Sequence, residues 1–373
     1  MASSLAASSV FELARSQQTG SCQAFDNIFR VQAGQAACQV NSDLSKRFGL
    51  AEQNIQTVVS VTNKVSLQQT WFNAVRKNKP QTFKAMDQQS HDATAAGKNC
   101  DFCAWEHSTA DDHFGRVESQ HAVTASNLFK YCEPCHGLVL FKHHDPLAFS
   151  QQQLGELLDV SDTWVQRAGH AHPHAHHPFF LWNCLHRAGA SQYHGHAQVM
   201  LSSVPFPAEL QAQQAAAAYQ QAYPGRALHE DILTAHKHVG LLRQSGHDSS
   251  RSCIYANVSP AKDMELVVTG QKLACKTFQS MMFAALRALI DHLGVATFNA
   301  AILGIRPPYS QSHPQSPPFP GVQARIASRG NLSSKASDYG GLEVFGGASI
   351  GHTDPFDVIA AVDQQLAAFP PNK

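Results

Sequence analysis

The segment Gly189-Ala190-Ser191-Gln192-Tyr193-His194-Gly195-His196-Ala197-Gln198 gathers the side chains of this 373-residue chain best suited to chemistry. Read as a strand, alternation places His194, His196 and Gln198 on one face, about 7 Å apart from i to i+2 and aimed at one site. Gly189-Ala190-Ser191, just ahead, can form a tight turn presenting backbone N–H groups and the Ser191 hydroxyl, which is how proteins cradle a phosphate. Asn183, eight positions before Ser191, adds a neutral donor. A histidine beside such a cradle can attack phosphorus and split one displacement into two through a phosphoramidate. Taken alone, the His-x-His spacing also fits a solvated sheet face or a metal pair, because histidine is often simply a surface residue.

Further residues suggest a metal and an anion. Cys100-Asp101-Phe102-Cys103 has zinc-knuckle spacing, and such thiolates bind Zn²⁺ when two more ligands converge. Cys132 and Cys135, after a 28-residue spacer, offer one completion as a four-cysteine site. The stretch from Trp71 to Pro80 contains Arg76, Lys77 and Lys79 and no acid, which suits phosphate. Two other features are given no chemical role. The Ala/Pro/His run with His170, His172, His174, His176 and His177 reads as a flexible surface loop with incidental metal affinity. Gly346-Gly347-Ala348-Ser349-Ile350-Gly351 lacks both the glycine spacing of a dinucleotide fingerprint and the Gly-Lys-Ser/Thr ending of a phosphate loop.

The elements that must position these groups follow from hydrophobic period. Strands are expected over Val58–Val65, His121–Phe129, Gly137–Lys142, Phe179–Trp182 and Ala197–Val204, with a helix from Ser150 to Arg167. Ala208–Ala222 is Ala/Gln-rich and reads as a connecting helix. Cys253–Val258 and Met264–Thr269 then read as strands, Cys275–Leu293 as a helix with an apolar stripe, and Ala296–Ile305 and Val322–Ala327 as strands. Pro307–Pro320 reads as a loop, and Asp354-Pro355 caps a final helix. Strand, strand, helix, strand, strand thus occurs twice, an α+β duplication. The division is an N-terminal extension (1–57), a first half carrying the motif (58–245) and a second half (246–373).

Composition narrows the partners. Lys plus Arg equals Asp plus Glu, 28 against 28, so no bulk field favours nucleic acid or an anionic membrane. Hydrophobic residues at 43% with charged residues at 15% indicate a packed globule. No apolar stretch approaches the roughly 20 residues of a bilayer span. Nine cysteines, an odd number with two Cys-x-x-Cys pairs, suit a reducing compartment, cytosol or an organelle matrix.

The pattern from Asn183 through Gly189-x-Ser191-x-x-His194-x-His196-x-Gln198 resembles the galactose-1-phosphate uridylyltransferase branch of the histidine-triad superfamily. The resemblance implies two histidine-triad-like halves, each an antiparallel sheet with packed helices, and a homodimer. It implies His196 as nucleophile, with its other ring nitrogen held by a backbone carbonyl, and Gln198 as the residue that holds the phosphoryl oxygen where hydrolytic members carry His. Arg76 and Lys79 look like the family's Arg-x-x-Arg-Pro phosphate segment, with Lys79 replacing an arginine. Asn127, in Ser126-Asn127-Leu128-Phe129, resembles the strand that packs the base, and Gly341-Leu342-Glu343 the closing segment of the sugar-binding region. The metal ligands implied are Cys100, Cys103, His144 (with His143 as its neighbour in contention) and His194, a structural zinc site; the four-cysteine completion stays open.

The chain also departs from the family's pattern. The strand that carries a second metal-binding His-x-His in the family reads Gln323-Ala324-Arg325-Ile326-Ala327-Ser328 here, Ser349 stands where a Gln contacts galactose, and Tyr193-His194-Gly195 replaces Asn-Pro-His-Pro. The activity implied is ping-pong transfer of UMP or AMP between a nucleotide sugar and a sugar 1-phosphate or phosphate, within carbohydrate metabolism. Alternatives are a dinucleoside polyphosphate or ADP-sugar phosphorylase, and a catalytically silent, zinc-stabilised nucleotide-binding protein.

Overall fold

The computed structural model describes residues 7–16, 22–49, 51, 53–75, 92, 94, 97–247, 250–308, 320–334 and 337–369. Thirteen strands among them form two sheets. The smaller contains β1 (Phe29–Gln39), β2 (Gln53–Asn63), β3 (Gln69–Phe72) and, from the far end of the chain, β13 (Ala348–Gly351). The larger contains β4 (Ala122–Ser126), β5 (Pro134–Phe141), β6 (His177–Cys184), β7 (His196–Ser202), β8 (Leu242–Ser245), β9 (Ser252–Ala256), β10 (Leu266–Gly270), β11 (Phe298–Leu303) and β12 (Val322–Ser328). Its order is β4-β5-β7-β6-β11-β12-β10-β9-β8. The two strand–strand–helix–strand–strand units therefore meet at their third strands, β6 against β11, with Asn183 directly opposite Asn299.

Each unit packs one long helix on the same sheet. Gln151–Ala171 starts at Ser150, whose side chain accepts from the Gln153 N–H while the Gln153 side chain accepts from the Ser150 N–H. Its buried stripe includes Leu154, Leu157, Leu158, Trp164, Val165 and Ala168. The partner helix Lys276–Arg287 buries the expected Phe278, Met281, Met282, Ala285 and Leu286, and its last turns, Ala288–His292, widen into a π-turn. Both helices sit close to the sheet. A Cβ at Gly137 would lie 2.8 Å from the Trp164 ring, and one at Gly270 would lie 2.8 Å from Phe278, so glycine at each position lets a helix aromatic lie on the strand.

The core runs through both halves without a break. Trp182 of β6 contacts Phe141 of β5 at 5.5 Å, Phe149 at 5.4 Å and Phe298 of β11 at 5.1 Å between centroids. Truncating any such aromatic costs about 3–5 kcal/mol. β6 alternates half-buried and buried residues over its whole length, so Phe180, Trp182 and Cys184 face the helices. Asn183 points to the other face. That second face holds the polar groups of interest.

Two expectations change. β1 pairs with β2 in register over eleven residues, Phe29 opposite Asn63 through Gln39 opposite Gln53, so the boundary drawn at residue 57 runs through β2. The histidine run is not a free loop. His170 lies in the last turn of helix Gln151–Ala171 and His177 opens β6, bonding Glu209 through Nδ1 at 3.0 Å, because the neighbouring apolar residues belong to a helix and a central strand. Among the described residues no helix is long and apolar enough to cross a membrane, and all nine cysteines are free of disulfides.

Candidate nucleotidyl-transfer site and metal cluster

β6 ends at Cys184 and the chain turns back sharply to β7. Leu185 adopts φ 67° and ψ 172°, a region ordinarily kept for glycine, while its side chain is buried. Such a conformation costs about 1–3 kcal/mol and persists only where packing over-determines it. A short 3₁₀ turn, His186–Ala188, follows, and Gly189 at φ 98° closes it, with the Ala190 N–H donating to the Leu185 carbonyl at 3.2 Å. Ser191 stands exposed at the end of this turn. The oxygen of the Asn183 side chain accepts from Asn299 Nδ2 at 2.6 Å, and its amide nitrogen faces the Gly189 turn. The Asn183 amide nitrogen is thus left facing the turn.

β7 begins at His196, so His194 lies just outside the strand and the two imidazoles part company. His194 donates from Nε2 to the Phe141 carbonyl at 2.6 Å and turns Nδ1 toward Cys100, Cys103 and His144. Those four residues offer ligand atoms all within 4.8 Å of one another. The separations are 3.5 Å from Cys100 Sγ to His194 Nδ1, 3.4 Å from Cys103 Sγ to each histidine Nδ1, and 3.4 Å between the two Nδ1 atoms. A tetrahedral ion with Zn–N and Zn–S bonds of ordinary length needs about 3.3 Å between nitrogens and about 3.5 Å from nitrogen to sulfur. The donor set fits a tetrahedral metal. His143, Cys132 and Cys135 stand outside the cluster.

The surroundings support the same reading. His144 Nε2 bonds Asp92 Oδ2 at 2.9 Å, a carboxylate–histidine pair of the kind that orients metal-bound imidazoles. Burial raises the Asp92 pKa, but hydrogen bonds from Thr94 and His144 outweigh it and bring the carboxyl down to about 2. Without a cation, burial and the neighbouring Cys100 push the Cys103 thiol up to about 11, and burial draws His194 down to about 4. A bound divalent ion reverses the preference at sulfur, since thiolate is the ligand. The Gly195 N–H donates to the His144 carbonyl at 3.2 Å, which stitches the residue between the two histidines to the ligand loop.

His196 is 7% exposed, and its Nδ1 donates to the His194 carbonyl at 2.8 Å. That bond fixes the tautomer and leaves the Nε2 lone pair free among the described residues. Burial keeps the ring neutral by lowering its pKa. Phe102, which precedes Cys103 inside the knuckle, packs against both rings, 5.8 Å from His194 and 5.2 Å from His196. The knuckle therefore covers the sheet next to the nucleophile candidate, with Phe102 and Trp105 packed on Val123, Ala125 and Leu140. Gln198 lies one pleat further along β7, bonded to Tyr131 and His136, and His136 in turn contacts Asn127.

The remaining expected residues fare differently. Arg76 and Lys79 lie outside the described residues. Glu343 accepts from the Gly340 N–H at 2.9 Å and caps its own short helix, Gly341–Gly346, which packs on β13 of the smaller sheet. Ser349 is buried in β13 and donates to the Ala261 carbonyl. Sequence reading missed Asp92, Phe102, Tyr131, His136, Asn299 and Arg329. Arg329 donates to Asn299 Oδ1 at 2.6 Å and pairs with Asp338 at 2.8 Å, so it holds the asparagine that holds Asn183.

No protein-family model and no curated protein matches the sequence. Solved structures share its fold. The ADP-glucose phosphorylase of Arabidopsis thaliana, solved with bound ADP-glucose, aligns with a TM-score of 0.60 at 15% identity, over 82% of this chain and 97% of its own. A uridylyltransferase aligns at 0.56 and 14% identity, over 78% and 94%. A galactose-1-phosphate uridylyltransferase-like protein of A. thaliana aligns at 0.55 and 18%, over 71% and 91%. The chain shares the fold of these phosphorylase and uridylyltransferase structures. The α+β architecture of two histidine-triad-like halves, expected from sequence, is the one these structures share.

Proposed function

We propose that the protein transfers a nucleotidyl group, UMP or AMP, from a nucleotide sugar to a phosphate-bearing acceptor through a covalent intermediate on His196. The observation that carries this reading is the His196 imidazole, kept neutral by burial, anchored through Nδ1 to the His194 carbonyl and free at Nε2 among the described residues, one pleat from Gln198. In the first step the Nε2 lone pair attacks the α-phosphorus of the donor. The P–N bond forms as the P–O bond to the sugar phosphate breaks, and the leaving group departs with that electron pair. The proton stays on Nδ1, donated to the His194 carbonyl, while the ring takes up positive charge, which that hydrogen bond stabilises. In the second step an acceptor phosphate oxygen attacks phosphorus and the P–N pair returns to Nε2.

Ser191, the turn's backbone N–H groups, Asn183 and the Gln198 amide supply neutral donors for the oxygens of the transferring group, and Arg76 and Lys79 the compensating charge. Asn127, with the exposed Leu128 and Phe129 beside it, offers a platform for the base. Glu343 is assigned to the sugar end of the substrate. Cys100, Cys103, His144 and His194 would hold Zn²⁺; four protein ligands leave no open position, so the ion's contribution is to fix the knuckle and with it Phe102.

One observation favours phosphate over galactose 1-phosphate as acceptor, an ADP-sugar or dinucleoside polyphosphate phosphorylase. The position given to a galactose contact holds Ser349, buried and bonded to Ala261. Intact-protein mass spectrometry after incubation with UDP-glucose, ADP-glucose or diadenosine tetraphosphate, without acceptor, tests the proposal. An adduct of UMP or AMP mass on the wild type, absent from His196→Ala, is expected. Tight donor binding with no adduct from any donor would replace it with the silent binding-protein reading.

A further inference from the structure

Gln198 does not hang free from β7. Its side-chain oxygen lies 2.8 Å from the Tyr131 hydroxyl and 2.8 Å from His136 Nε2. His136 belongs to β5, where it is fully buried directly across from Met200, two residues along β7 from Gln198, and so shares Gln198's face. Tyr131 lies on the segment just before β5, its ring edge-on to the His136 ring at 4.4 Å. The Tyr131 backbone N–H points at His136 Nδ1 at 3.4 Å, which makes Nδ1 the acceptor and Nε2 the N–H that donates to Gln198. Asn127 Nδ2, 3.1 Å from the same Nε2, competes for that nitrogen, but it is the longer contact.

An amide whose oxygen receives two donors has its orientation decided. The –NH₂ end is turned away from both of them, and that end is the only part of Gln198 able to donate to a phosphoryl oxygen. We infer that Tyr131 and His136 form a clamp that sets the amide orientation of Gln198, so that its –NH₂ is presented to the nucleotidyl group on His196. The inference rests on the nucleotidyl-transfer reading of the site. Neither residue need touch the substrate; both are positioning residues acting through Gln198. A flipped or rotating amide would offer its carbonyl oxygen to an anionic phosphoryl group half the time, and a donor fixed before reaction is worth more than one that must be ordered during it.

The test uses rapid-quench intact-mass measurement of nucleotide uptake at saturating ADP-glucose and UDP-glucose, with donor affinity measured separately. Tyr131→Phe, an exposed and nearly isosteric change, should slow uptake about tenfold and move donor affinity by less than about threefold, the loss of one hydrogen bond felt in the transition state. His136→Leu should slow it further, and His136→Gln, which retains a donor at the same reach, should recover most of the rate. Placed in a Gln198→Leu background, Tyr131→Phe should cause no additional slowing. Wild-type rates in both Tyr131→Phe and His136→Leu, or equal slowing by Tyr131→Phe with and without Gln198, would overturn the clamp while leaving nucleotidyl transfer intact. Wild-type protein that takes up no nucleotide from either donor would overturn the nucleotidyl-transfer reading itself. A ¹⁵N-imidazole spectrum of the free protein gives a readout independent of activity: His136 as the Nε2–H tautomer supports the clamp, and the Nδ1–H tautomer sinks it.

Discussion

His236 is a buried histidine remote from the metal cluster, and it makes the stability of the fold depend on pH in a calculable way. It lies in the helix Leu228–His238, 1% exposed, with Nδ1 donating to the Ile232 carbonyl at 2.8 Å and Nε2 accepting from the Val258 N–H at 3.3 Å. Phe29, the first residue of β1, meets its ring edge-on at 5.4 Å, and Tyr255 of β9 packs on it at 4.2 Å. Burial draws its pKa down from 6.5 to about 4, only partly opposed by its hydrogen bond to Ile232. The unfolded chain therefore binds this proton at a higher pH than the native protein does. Stability from this group is full above about pH 6.5 and is lost as pH falls toward 4, with the loss amounting to about 2 kcal/mol by pH 5 and about 3 kcal/mol by pH 4. The perturbation is His236→Leu, which removes the titrating group and, by leaving the Val258 N–H unpaired, lowers stability by a pH-independent amount. Urea unfolding of both proteins at pH 7, 6 and 5 reads the difference directly. The gap between wild type and variant should narrow by about 2 kcal/mol from pH 7 to pH 5; a gap that stays constant refutes the claim that His236 is held neutral.

Two further outcomes follow from the metal cluster and the turn. Cys100→Ser should take metal content, measured by plasma emission on the purified protein, from about one equivalent toward none, since a tetrahedral site rarely survives loss of a buried thiolate; unchanged content means that the ligand set is wrong. Gly195→Ala places a Cβ 3.0 Å from the Pro146 Cα and 3.0 Å from the Phe141 ring, and the first of these is backbone that cannot swing aside. It should cost about 1–3 kcal/mol and lower both Tm and metal retention, because Gly195 is bonded to His144; a calorimetric Tm and metal content equal to wild type would show that the turn has room to yield.

Local order was legible where a short window contains the whole cause. The helix start near Ser150 and the apolar stripe of Lys276–Arg287 need only nearby residues, and both appear where they were expected, the first closed by a capping box with Gln153. The pairing of strands is a different matter. His136 was an unremarked histidine because only the register of β5 on β7 puts it beside Gln198, and no local pattern states that register. Phe102 was in view inside the Cys-x-x-Cys, but its contact with His196 exists only once the knuckle folds over the open face of the sheet. Asp92 lies in a polar stretch with no periodicity, where a carboxylate gives no sign of the His144 it meets 52 residues later. The expectation that His194, His196 and Gln198 aim at one site failed at His194, because β7 starts two residues later than alternation assumed.

The two halves share an order of elements but not a chemistry, and the join shows what the second contributes. β12, the last strand of its unit as β7 is of the first, carries no histidine; Arg325 there binds the buried Glu265, itself bonded to Asn257 and to the Ala261 N–H. An arginine salt bridge needs no ion and stays charged at every working pH, so that half can keep its charged layer without a ligand. From the next turn, Arg329 reaches Asn299, and Asn299 sits opposite Asn183 at the seam. The Asn183 amide, which the proposed function gives to phosphate, is thus fixed from the second half, while the His196 imidazole is fixed by its own half through the His194 carbonyl. A sheet whose two units join at their third strands permits this division: on the proposed function one unit bears the reacting atom, and the other supplies the hydrogen bonds that hold the neighbouring amide in place before substrate arrives.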